Sequence, residues 1–305
     1  MTRLAVVTGA AGFIGGRVAA RLVQEGWRVI GIGHGSPPPE SGLKRRWVES
    51  DVSATALSKL GCAPDAIIHC AGTASVGRAE SDPRGEQLRT VGATRAVLDF
   101  SASLPAPARM VMVSSAAVYG AATLMPTPEN APLGPLSRYG EFKAEAEGLW
   151  REHASRYGQS MAIVRLFSVY GEGLRKQLLW DACGKLLRGD GRFDGTGDET
   201  RDWLHVDDAA NLLVSAIGQA SRDCAIVNGG SGSAVRVRDV LEVLRVALGD
   251  LPLPRYSGVA RSGDPQHYAA DISLALSWGW RPGISWREGV ERYAHWFTTL
   301  GEAAR

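Results

Sequence analysis

The chain has 305 residues and a formal net charge of +2, with 45% hydrophobic and 22% charged residues. This length is enough for one large α/β domain and a smaller one, and the composition is that of an ordinary globular protein. The near-neutral charge gives no reason to expect a nucleic-acid or membrane surface, and no apolar run reaches the length of a membrane span. The four cysteines are scattered without metal-ligand spacing, and the first residues do not have the pattern of a signal peptide. We therefore expect a cytoplasmic protein with reduced thiols and no bound metal.

The first predicted element is a short apolar strand, Leu4–Thr8, which is followed at once by a glycine-rich run. Apolar residues then recur at helical spacing from Phe13 to Val23, and Gly26 is a suitable residue to end the helix. In such a unit the glycines let the backbone approach a pyrophosphate, and the helix N-terminus presents unpaired N–H groups to the anion. The sequence therefore predicts a dinucleotide site at this turn. Its expected contacts are Gly9, Gly12, Phe13 and Ile14.

The second predicted strand, Arg28–Gly33, ends without the acidic residue that usually binds the adenine ribose. A carboxylate there accepts hydrogen bonds from a free 2′-hydroxyl and repels a 2′-phosphate, so its absence removes that repulsion. His34 and Ser36 follow and can donate hydrogen bonds to a phosphate. The alternative is a rigid proline-rich loop that binds the ribose less tightly. The cofactor is expected to be NAD or NADP, and Gly33 and His34 favour NADP.

Strands and helices alternate through the first half of the chain, which is typical of a Rossmann-type, doubly wound parallel sheet. Further strands are expected at Arg46–Val48, Ala66–His69, Arg109–Ser114 and Met161–Phe167, and helices at Ala54–Leu60, Glu86–Ser103 and Arg138–Tyr157. The predicted α/β fold has a dinucleotide-binding domain, residues 1–167, and a smaller C-terminal α/β substrate-capping domain, residues 168–305. Residues 202–228 are expected to return to the main sheet. Ligands bind beyond the carboxyl ends of such strands, where Ala71 and Gly72 fall.

A serine, a tyrosine and a lysine form the predicted catalytic set. Tyr139 and Lys143 are four residues apart, which places them on one face of a helix, and Ser115 follows a predicted strand. A free tyrosine titrates near pH ~10, and both a lysine ammonium and an oxidised nicotinamide favour its phenolate. Tyr139 is thus expected to move a proton, Lys143 to tune the tyrosine and hold the nicotinamide ribose, and Ser115 to bind the reacting oxygen.

Several motifs accompany this set. They are T-G-A-A-G-F-I-G from Thr8, S-S-A-A-V-Y-G from Ser114, R-L-F-S-V-Y-G from Arg165, R-D-W-L-H-V-D-D from Arg201, R-S-G-D-P from Arg261 and W-G-W-R-P from Trp278. With these motifs spread over nearly its whole length, the chain resembles the extended short-chain dehydrogenases/reductases of the nucleotide-sugar epimerase/dehydratase group. The resemblance implies a nicotinamide dinucleotide as cofactor and a nucleotide diphosphate sugar as substrate.

The resemblance also implies roles for individual residues. Asp51 is expected to bind the adenine amino group, with the backbone of Val52 beside it. Arg201 and Arg261 are expected to grip the nucleotide diphosphate, since guanidinium groups make fork-like contacts to phosphate oxygens. Asp264 is expected to bind the nucleotide ribose. Family members often dimerise through the helix of the catalytic tyrosine and the helix before it, so a homodimer is expected.

This chain departs from the family pattern at several positions. Family dehydratases carry an Asp-Glu pair after the active-site hydroxyl, whereas Ala116 and Ala117 stand here, and methyl groups cannot supply the acid and base for loss of water. An asparagine is usual at Ser168, which is expected to contact substrate, and another is usual at Thr90. A standard 4,6-dehydratase is therefore not expected.

Three histidine and aspartate residues, His205, Asp207 and Asp208, invite a metal interpretation. We interpret them instead as the end of a strand and the cap of the following helix, because aspartate is a favoured N-cap residue. His69 ends a buried strand and is interpreted as structural.

The leading hypothesis is an NAD(P)-dependent nucleotide-sugar epimerase that acts at C4 of the hexose through a transient 4-keto sugar. The S-S-A-A-V-Y-G run is most similar to that of epimerases. The alternative is an NADPH-dependent reductase of nucleotide 4-keto sugars, in which Tyr139 gives a proton instead of taking one. A more remote alternative is a non-catalytic dinucleotide-binding regulator, but such proteins can lose the tyrosine and lysine that this chain keeps.

Overall fold

The computed structural model describes residues 2–37, 42–43, 46–72, 76–259 and 266–300. The strands are β1 (Leu4–Thr8), β2 (Arg28–Gly33), β3 (Trp47–Glu49), β4 (Ala66–His69), β5 (Arg109–Ser115), β6 (Met161–Leu166), β7 (Ser168–Tyr170), β8 (Arg192–Phe193), β9 (Thr200–Arg201), β10 (Trp203–His205), β11 (Ala225–Gly229), β12 (Val235–Arg236) and β13 (Arg255–Tyr256). The helices are α1 (Phe13–Gln24), α2 (Ala54–Ser58), α3 (Val76–Ser81), α4 (Pro83–Gln87), α5 (Ala93–Ala102), α6 (Arg138–Tyr157), α7 (Gln177–Leu187), α8 (Val206–Gln219), α9 (Val237–Ala247), α10 (Ser273–Ser277) and α11 (Trp286–Thr299).

A parallel sheet lies at the centre of the molecule. In the described part of the chain it has seven strands, in the order β11-β6-β5-β4-β1-β2-β3. In its register Thr8 lies between Ile32 and His69, and Ser115 lies beside Leu166. The carboxyl ends of β1, β4 and β5 therefore meet at one edge of the sheet. This arrangement confirms the predicted Rossmann-type fold class.

Apolar helices cover both faces of this sheet. Helices α1 and α8 pack on one face, where Leu22 and Leu213 are fully buried, and α2, α5 and α6 pack on the other, where Val97 and Trp150 are fully buried. The strands between them are buried on both faces, which explains their continuous apolar sequences.

The C-terminal part of the chain contributes to the main sheet and also forms a smaller core. Strand β11 pairs with β6 at the sheet edge, and α8 packs on the sheet. Helices α7, α9 and α11 enclose a separate cluster that includes Leu244, Tyr293 and Phe297. Short ladders join β7 to β10, β9 to β12 and β8 to β13. The division into domains at residue 168 stays a prediction.

The structure places a helical run at the predicted helix Glu86–Ser103, and this run contains a wider turn that the sequence did not predict. Helix α4 begins after Asp82, whose carboxylate accepts a hydrogen bond from the Gly85 N–H, and a wider π turn over Leu88–Gly92 separates it from α5. The Thr94 hydroxyl donates to the Thr90 carbonyl at 2.8 Å and so satisfies a carbonyl of the wider turn. Such turns occur often at functional sites.

Candidate functional site

Helix α6 carries Tyr139 and Lys143 on one face. The helix begins after Ser137, whose hydroxyl accepts a hydrogen bond from the Gly140 N–H at 3.2 Å. Gly140 lies so close to the turn after β5 that an added Cβ would be 2.6 Å from the Ala117 carbonyl oxygen and 2.8 Å from the Pro135 Cβ. The first turn of α6 is thereby held directly against the turn that carries Ser115.

Ser115 ends β5 and caps the short 3₁₀ turn Ala116–Val118, where its hydroxyl oxygen accepts a hydrogen bond from the Ala117 N–H at 3.2 Å. Burial raises the pKa of Tyr139 above its usual value, and the Ser115 hydroxyl, which lies near the phenol, lowers that pKa by a smaller amount. The structure thus brings the predicted serine and tyrosine together. In the protein alone, burial outweighs any lowering of the Tyr139 pKa.

Lys143 is buried, and its ammonium donates a hydrogen bond to the Val113 carbonyl at 3.0 Å. Burial disfavours the charged form and lowers the pKa of Lys143 to about 8, although Cys70 and Glu147 oppose this shift. The lysine is therefore a cation near neutral pH that loses its proton more easily than a lysine in water.

A buried ion pair lies one turn further along the same face of α6. Glu147 accepts three hydrogen bonds from Arg165 of β6, the shortest at 2.7 Å, and a fourth from the Ser114 hydroxyl at 2.6 Å. Arg165 also donates to the Tyr119 hydroxyl at 3.0 Å, and Tyr119 donates to Asn228 of β11 at 2.7 Å. This network ties both sides of the Ser115 turn to the catalytic helix, and the sequence did not predict it.

The glycine-rich turn has the geometry that a pyrophosphate requires. Gly9 has a φ of 67°, and an added Cβ would lie 2.7 Å from the Ala71 N, so only glycine fits. Gly12 caps α1 without a side-chain hydrogen bond, and Phe13 and Ile14 form the first turn. The N–H groups of that turn can therefore donate to a bound anion.

The end of β4 lies beside this turn and beside the lysine. The Ala71 N–H donates to the Thr8 hydroxyl at 3.3 Å. Gly72 has a φ of 135°, and a Cβ built on it would lie 3.5 Å from both the Lys143 Nζ and the Thr90 Oγ1. Three separate elements therefore meet at Gly72.

In the predicted ribose-binding region His34 contacts Asp51, and Gly33 is closely packed. His34 Nε2 lies 2.9 Å from Asp51 Oδ1, and both side chains are more than 70% exposed. A Cβ added to Gly33 would lie 3.1 Å from the Trp47 ring and 3.2 Å from the Ala11 N. Ser36 is exposed, whereas Val52 packs against the core. His34, expected to meet a 2′-phosphate, thus already contacts a carboxylate.

The predicted substrate residues are only partly described. Ser168 begins β7, and its N–H donates to the Asp202 carbonyl at 2.9 Å. Arg201 donates to the Thr200 carbonyl at 2.9 Å and stacks near the Tyr268 ring, with 5.9 Å between its Cζ and the ring centroid. Arg261 and Asp264 lie outside the described residues.

Sequence reasoning missed Asp202, which is completely buried. Its carboxylate accepts hydrogen bonds from the Ser231, Gly232 and Ala270 N–H groups. It therefore fixes the segment that follows Arg261 and Asp264 in the chain. Asp202 lies between β9 and β10, and no sequence signal distinguished it from an exposed aspartate.

The expected strand end and helix cap are present at His205, but the cap is this histidine and not an aspartate. His205 is the N-cap of α8, its ring accepts a hydrogen bond from the Asp207 N–H at 3.3 Å, and its other nitrogen lies 2.9 Å from Glu172. Asp208 instead accepts hydrogen bonds from Gly283 and Ile284 at 3.0 and 2.9 Å. Within the described ranges no group of three or more histidine, cysteine, aspartate or glutamate residues is placed to hold a metal ion.

The sequence profile of the NAD dependent epimerase/dehydratase family matches residues 5–229. The chain belongs to this family. The chain is similar to a UDP-glucose 4-epimerase of Mycolicibacterium smegmatis. The two are 29% identical over 311 residues, which cover 96% of this chain and 97% of the relative.

Two solved structures are similar over almost the whole chain. The UDP-glucose 4-epimerase of Thermotoga maritima, crystallised with UDP-glucose, has a TM-score of 0.89 and 25% identity, covering 97% of this chain and 99% of that one. MoeE5 in complex with UDP-glucuronic acid and NAD has a TM-score of 0.87 and 29% identity, with the same coverage.

The family dependence on NAD agrees with the expected nicotinamide dinucleotide. The matched region contains the glycine-rich turn, Ser115, Tyr139 and Lys143, whereas Arg261 and Asp264 lie beyond it. The preference for NADP stays a prediction. In the described part of the chain no helix is long and apolar enough to cross a membrane.

Proposed function

We propose that the protein is an NAD-dependent nucleotide-sugar epimerase that acts at C4 of the hexose. The observation that carries this proposal is the approach of Ser115 to Tyr139, with Lys143 on the same helix face, at the edge of the sheet where the dinucleotide turn also lies. The next two side chains after Ser115 are methyl groups, which cannot catalyse loss of water. The names of the similar proteins support the same class of reaction.

The residues have distinct roles in this mechanism. NAD, which the glycine-rich turn and Lys143 would hold, would supply the acceptor and then the donor of the C4 hydride. Tyr139 removes the proton of the 4-hydroxyl, and Ser115 hydrogen-bonds the C4 oxygen as it becomes a carbonyl. The Lys143 ammonium stabilises the phenolate that Tyr139 becomes once the nicotinamide charge is beside it. The proton returns from Tyr139 when the hydride returns, so the reaction is redox-neutral.

One observation favours the reductase as a second candidate. Burial raises the pKa of Tyr139, which favours the protonated phenol that a reductase needs as its proton donor. Such an enzyme would consume NADPH with a nucleotide 4-keto sugar and form no epimer without it.

The test of the catalytic set is Tyr139→Phe. Because only one hydroxyl is removed, the fold and dinucleotide binding should persist while turnover falls by ~10² to 10⁴-fold. The measurement is interconversion of UDP-glucose and UDP-galactose, with other nucleotide sugars in parallel and the retained dinucleotide identified by mass spectrometry. Near-normal turnover in the variant would rule out the proposed role of Tyr139, and NADPH-dependent reduction without epimerisation would favour the reductase.

We further propose that the protein binds NADP(H) at least as well as NAD(H), because Gly33 places no carboxylate at the adenine ribose. Gly33→Asp should shift the preference toward NAD by adding an acceptor and a repelling charge. Since any side chain at this position meets Trp47, Gly33→Ala is the matched control for the change in packing. Titration of both dinucleotides into all three proteins gives the ratio of affinities. A clear NAD preference in the unmodified protein would contradict the proposal.

We also propose that the protein is a cytoplasmic homodimer whose C-terminal residues, 168–305, mainly cap the substrate. The thiols of all four cysteines are unpaired, which suits a reducing compartment. Helices α5 and α6 would form the dimer contact, and light scattering of the purified protein measures the mass in solution.

A further inference from the structure

Behind the dinucleotide turn lies a buried chain of hydrogen bonds centred on His69. His69 Nδ1 lies 2.7 Å from the Thr8 hydroxyl, and its Nε2 lies 3.1 Å from the Thr94 hydroxyl. All three side chains are at most 2% exposed. The imidazole also stacks on Trp150, with 5.9 Å between ring centroids and an interplanar angle of 12°. Water cannot replace these bonds without a rearrangement of the core.

The direction of each bond in this chain is determined. Thr94 donates its hydroxyl proton to the Thr90 carbonyl at 2.8 Å, so its oxygen must accept from His69 Nε2–H. With its proton on Nε2, the neutral imidazole has an acceptor at Nδ1, which receives the Thr8 hydroxyl. The Thr8 oxygen in turn accepts from the Ala71 N–H. Burial and the nearby Lys143 charge lower the pKa of His69 to about 3, which agrees with a neutral ring.

This chain joins three segments that meet around Lys143. Thr8 begins the glycine-rich turn, Ala71 lies in the loop after β4, and Thr90 lies in the π turn between α4 and α5. The space beside Gly72 is shared by the Lys143 ammonium and the Thr90 hydroxyl, each 3.5 Å from a Cβ built there. Within this series of hydrogen bonds, the His69 imidazole connects Thr8 of β1 to Thr94 of α5.

We propose that His69 is a positioning residue of the reaction. By its two bonds it holds the π turn and the loop at Gly72 in register with the glycine-rich turn, and so fixes the surroundings of Lys143 and of the nicotinamide ribose. This role rests on the proposed function. It extends the interpretation of His69 as structural, because the groups that it fixes are those that tune Tyr139.

The test separates positioning from stability. In His69→Asn the shorter amide keeps an acceptor near Thr8 but is too short to reach Thr94. Thr94→Val removes the hydroxyl that accepts the His69 Nε2–H hydrogen bond. Both variants should lower kcat and weaken NAD binding by about ten- to a hundred-fold, and the double variant should be no worse than either. Thr94→Ser keeps the hydroxyl and should retain activity.

His153→Asn is the matched control. His153 is also a buried histidine with one short hydrogen bond, 2.9 Å to Gln159, but it lies in the last turns of α6, away from the sheet edge. In urea unfolding, His153→Asn should lose about as much stability as His69→Asn. It should keep the kcat and NAD affinity of the unmodified protein. In the unmodified protein, ¹⁵N NMR should show His69 as the neutral Nε2–H form from pH 5 to 8.

The outcomes distinguish the two proposals. If the unmodified protein binds no dinucleotide and turns over no nucleotide sugar, the proposed function fails. Suppose instead that the unmodified protein binds a dinucleotide and turns over a nucleotide sugar. If His69→Asn and Thr94→Val then match His153→Asn in kcat and NAD affinity, the positioning role is wrong. An Nδ1–H form or a protonated ring in the NMR spectrum would contradict the hydrogen-bond directions directly.

Discussion

At the scale of single residues, the chemistry of the site depends on two opposite effects of burial. Burial raises the pKa of Tyr139 and lowers the pKa of Lys143, so both groups are moved toward their neutral forms. The spacing of four residues predicted that the two side chains share a helix face. It could not predict the sign of the Tyr139 shift, because desolvation depends on elements that are distant in sequence.

The lowered pKa of Lys143 predicts how kcat/KM changes at alkaline pH. Lys143 is protonated below its pKa of about 8 and loses its charge as pH rises through that value, so the Tyr139 phenolate loses a stabilising cation. We expect kcat/KM to fall above about pH 8. Lys143→Arg, if it remains active, should move the fall to higher pH because arginine stays charged. Initial rates from pH 6 to 10 measure both profiles, and a flat profile to pH 10 would contradict the role of the lysine charge.

At the scale of elements, the contact between α6 and the turn after β5 determines whether serine and tyrosine meet. Gly140 permits that contact, and the ion pair of Glu147 and Arg165 fixes the same helix about two turns further along. A buried pair that loses one partner leaves an uncompensated charge, so this network is expected to hold one geometry. The start of α6 matched its sequence signals, whereas the partners of Glu147 could not be foreseen, because they come from β5 and β6.

Gly140→Ala should therefore damage catalysis more than folding. The new Cβ would press on the Ala117 carbonyl and move the start of α6 away from Ser115, with a cost of about 1–3 kcal/mol in the free energy of unfolding. We expect kcat to fall at least about tenfold, since small misplacements of reacting groups are costly. Gly148→Ala is the control, because nothing lies within 4 Å of its added Cβ, and it should stabilise the helix by about 1 kcal/mol. Equal kcat values in the two variants would show that the contact does not position Tyr139.

At the scale of the whole molecule, the proposed function assigns different ligands to the sheet edge and to the C-terminal part. The glycine-rich turn and the ends of β4 and β5 surround the proposed dinucleotide site, whereas Arg201 lies on a short strand paired with β12. The alternation of strands and helices predicted the parallel sheet. The small ladders of the C-terminal part are two or three residues long, and such segments have no recognisable periodicity.

Because Arg201 lies apart from the proposed dinucleotide site, its substitution should affect nucleoside diphosphate binding and not NAD binding. Arg201→Ala should weaken binding of a nucleoside diphosphate by about ten- to a hundred-fold, because a charge-assisted bond to phosphate is lost. Binding of NAD should not change. Calorimetric titration of UDP, dTDP, GDP and CDP into both proteins gives the preferred base as well. Arg292→Ala, on α11, removes a surface arginine paired with Glu288 and should alter neither affinity. Unchanged nucleotide binding in Arg201→Ala would place the diphosphate elsewhere.

Under the proposed role of Gly33 in cofactor choice, its packing against Trp47 limits how cofactor use can change in evolution. An acidic residue at the end of β2 cannot be acquired by one substitution without displacing the indole, whose Nε1 also donates to the Gly35 carbonyl at 2.8 Å. If the carboxylate at position 33 arises before any change at position 47, the new side chain presses on the Trp47 ring. A smaller residue at position 47 would have to arise beforehand or together with it. Among relatives, an acidic residue at position 33 should therefore co-occur with a small side chain at position 47.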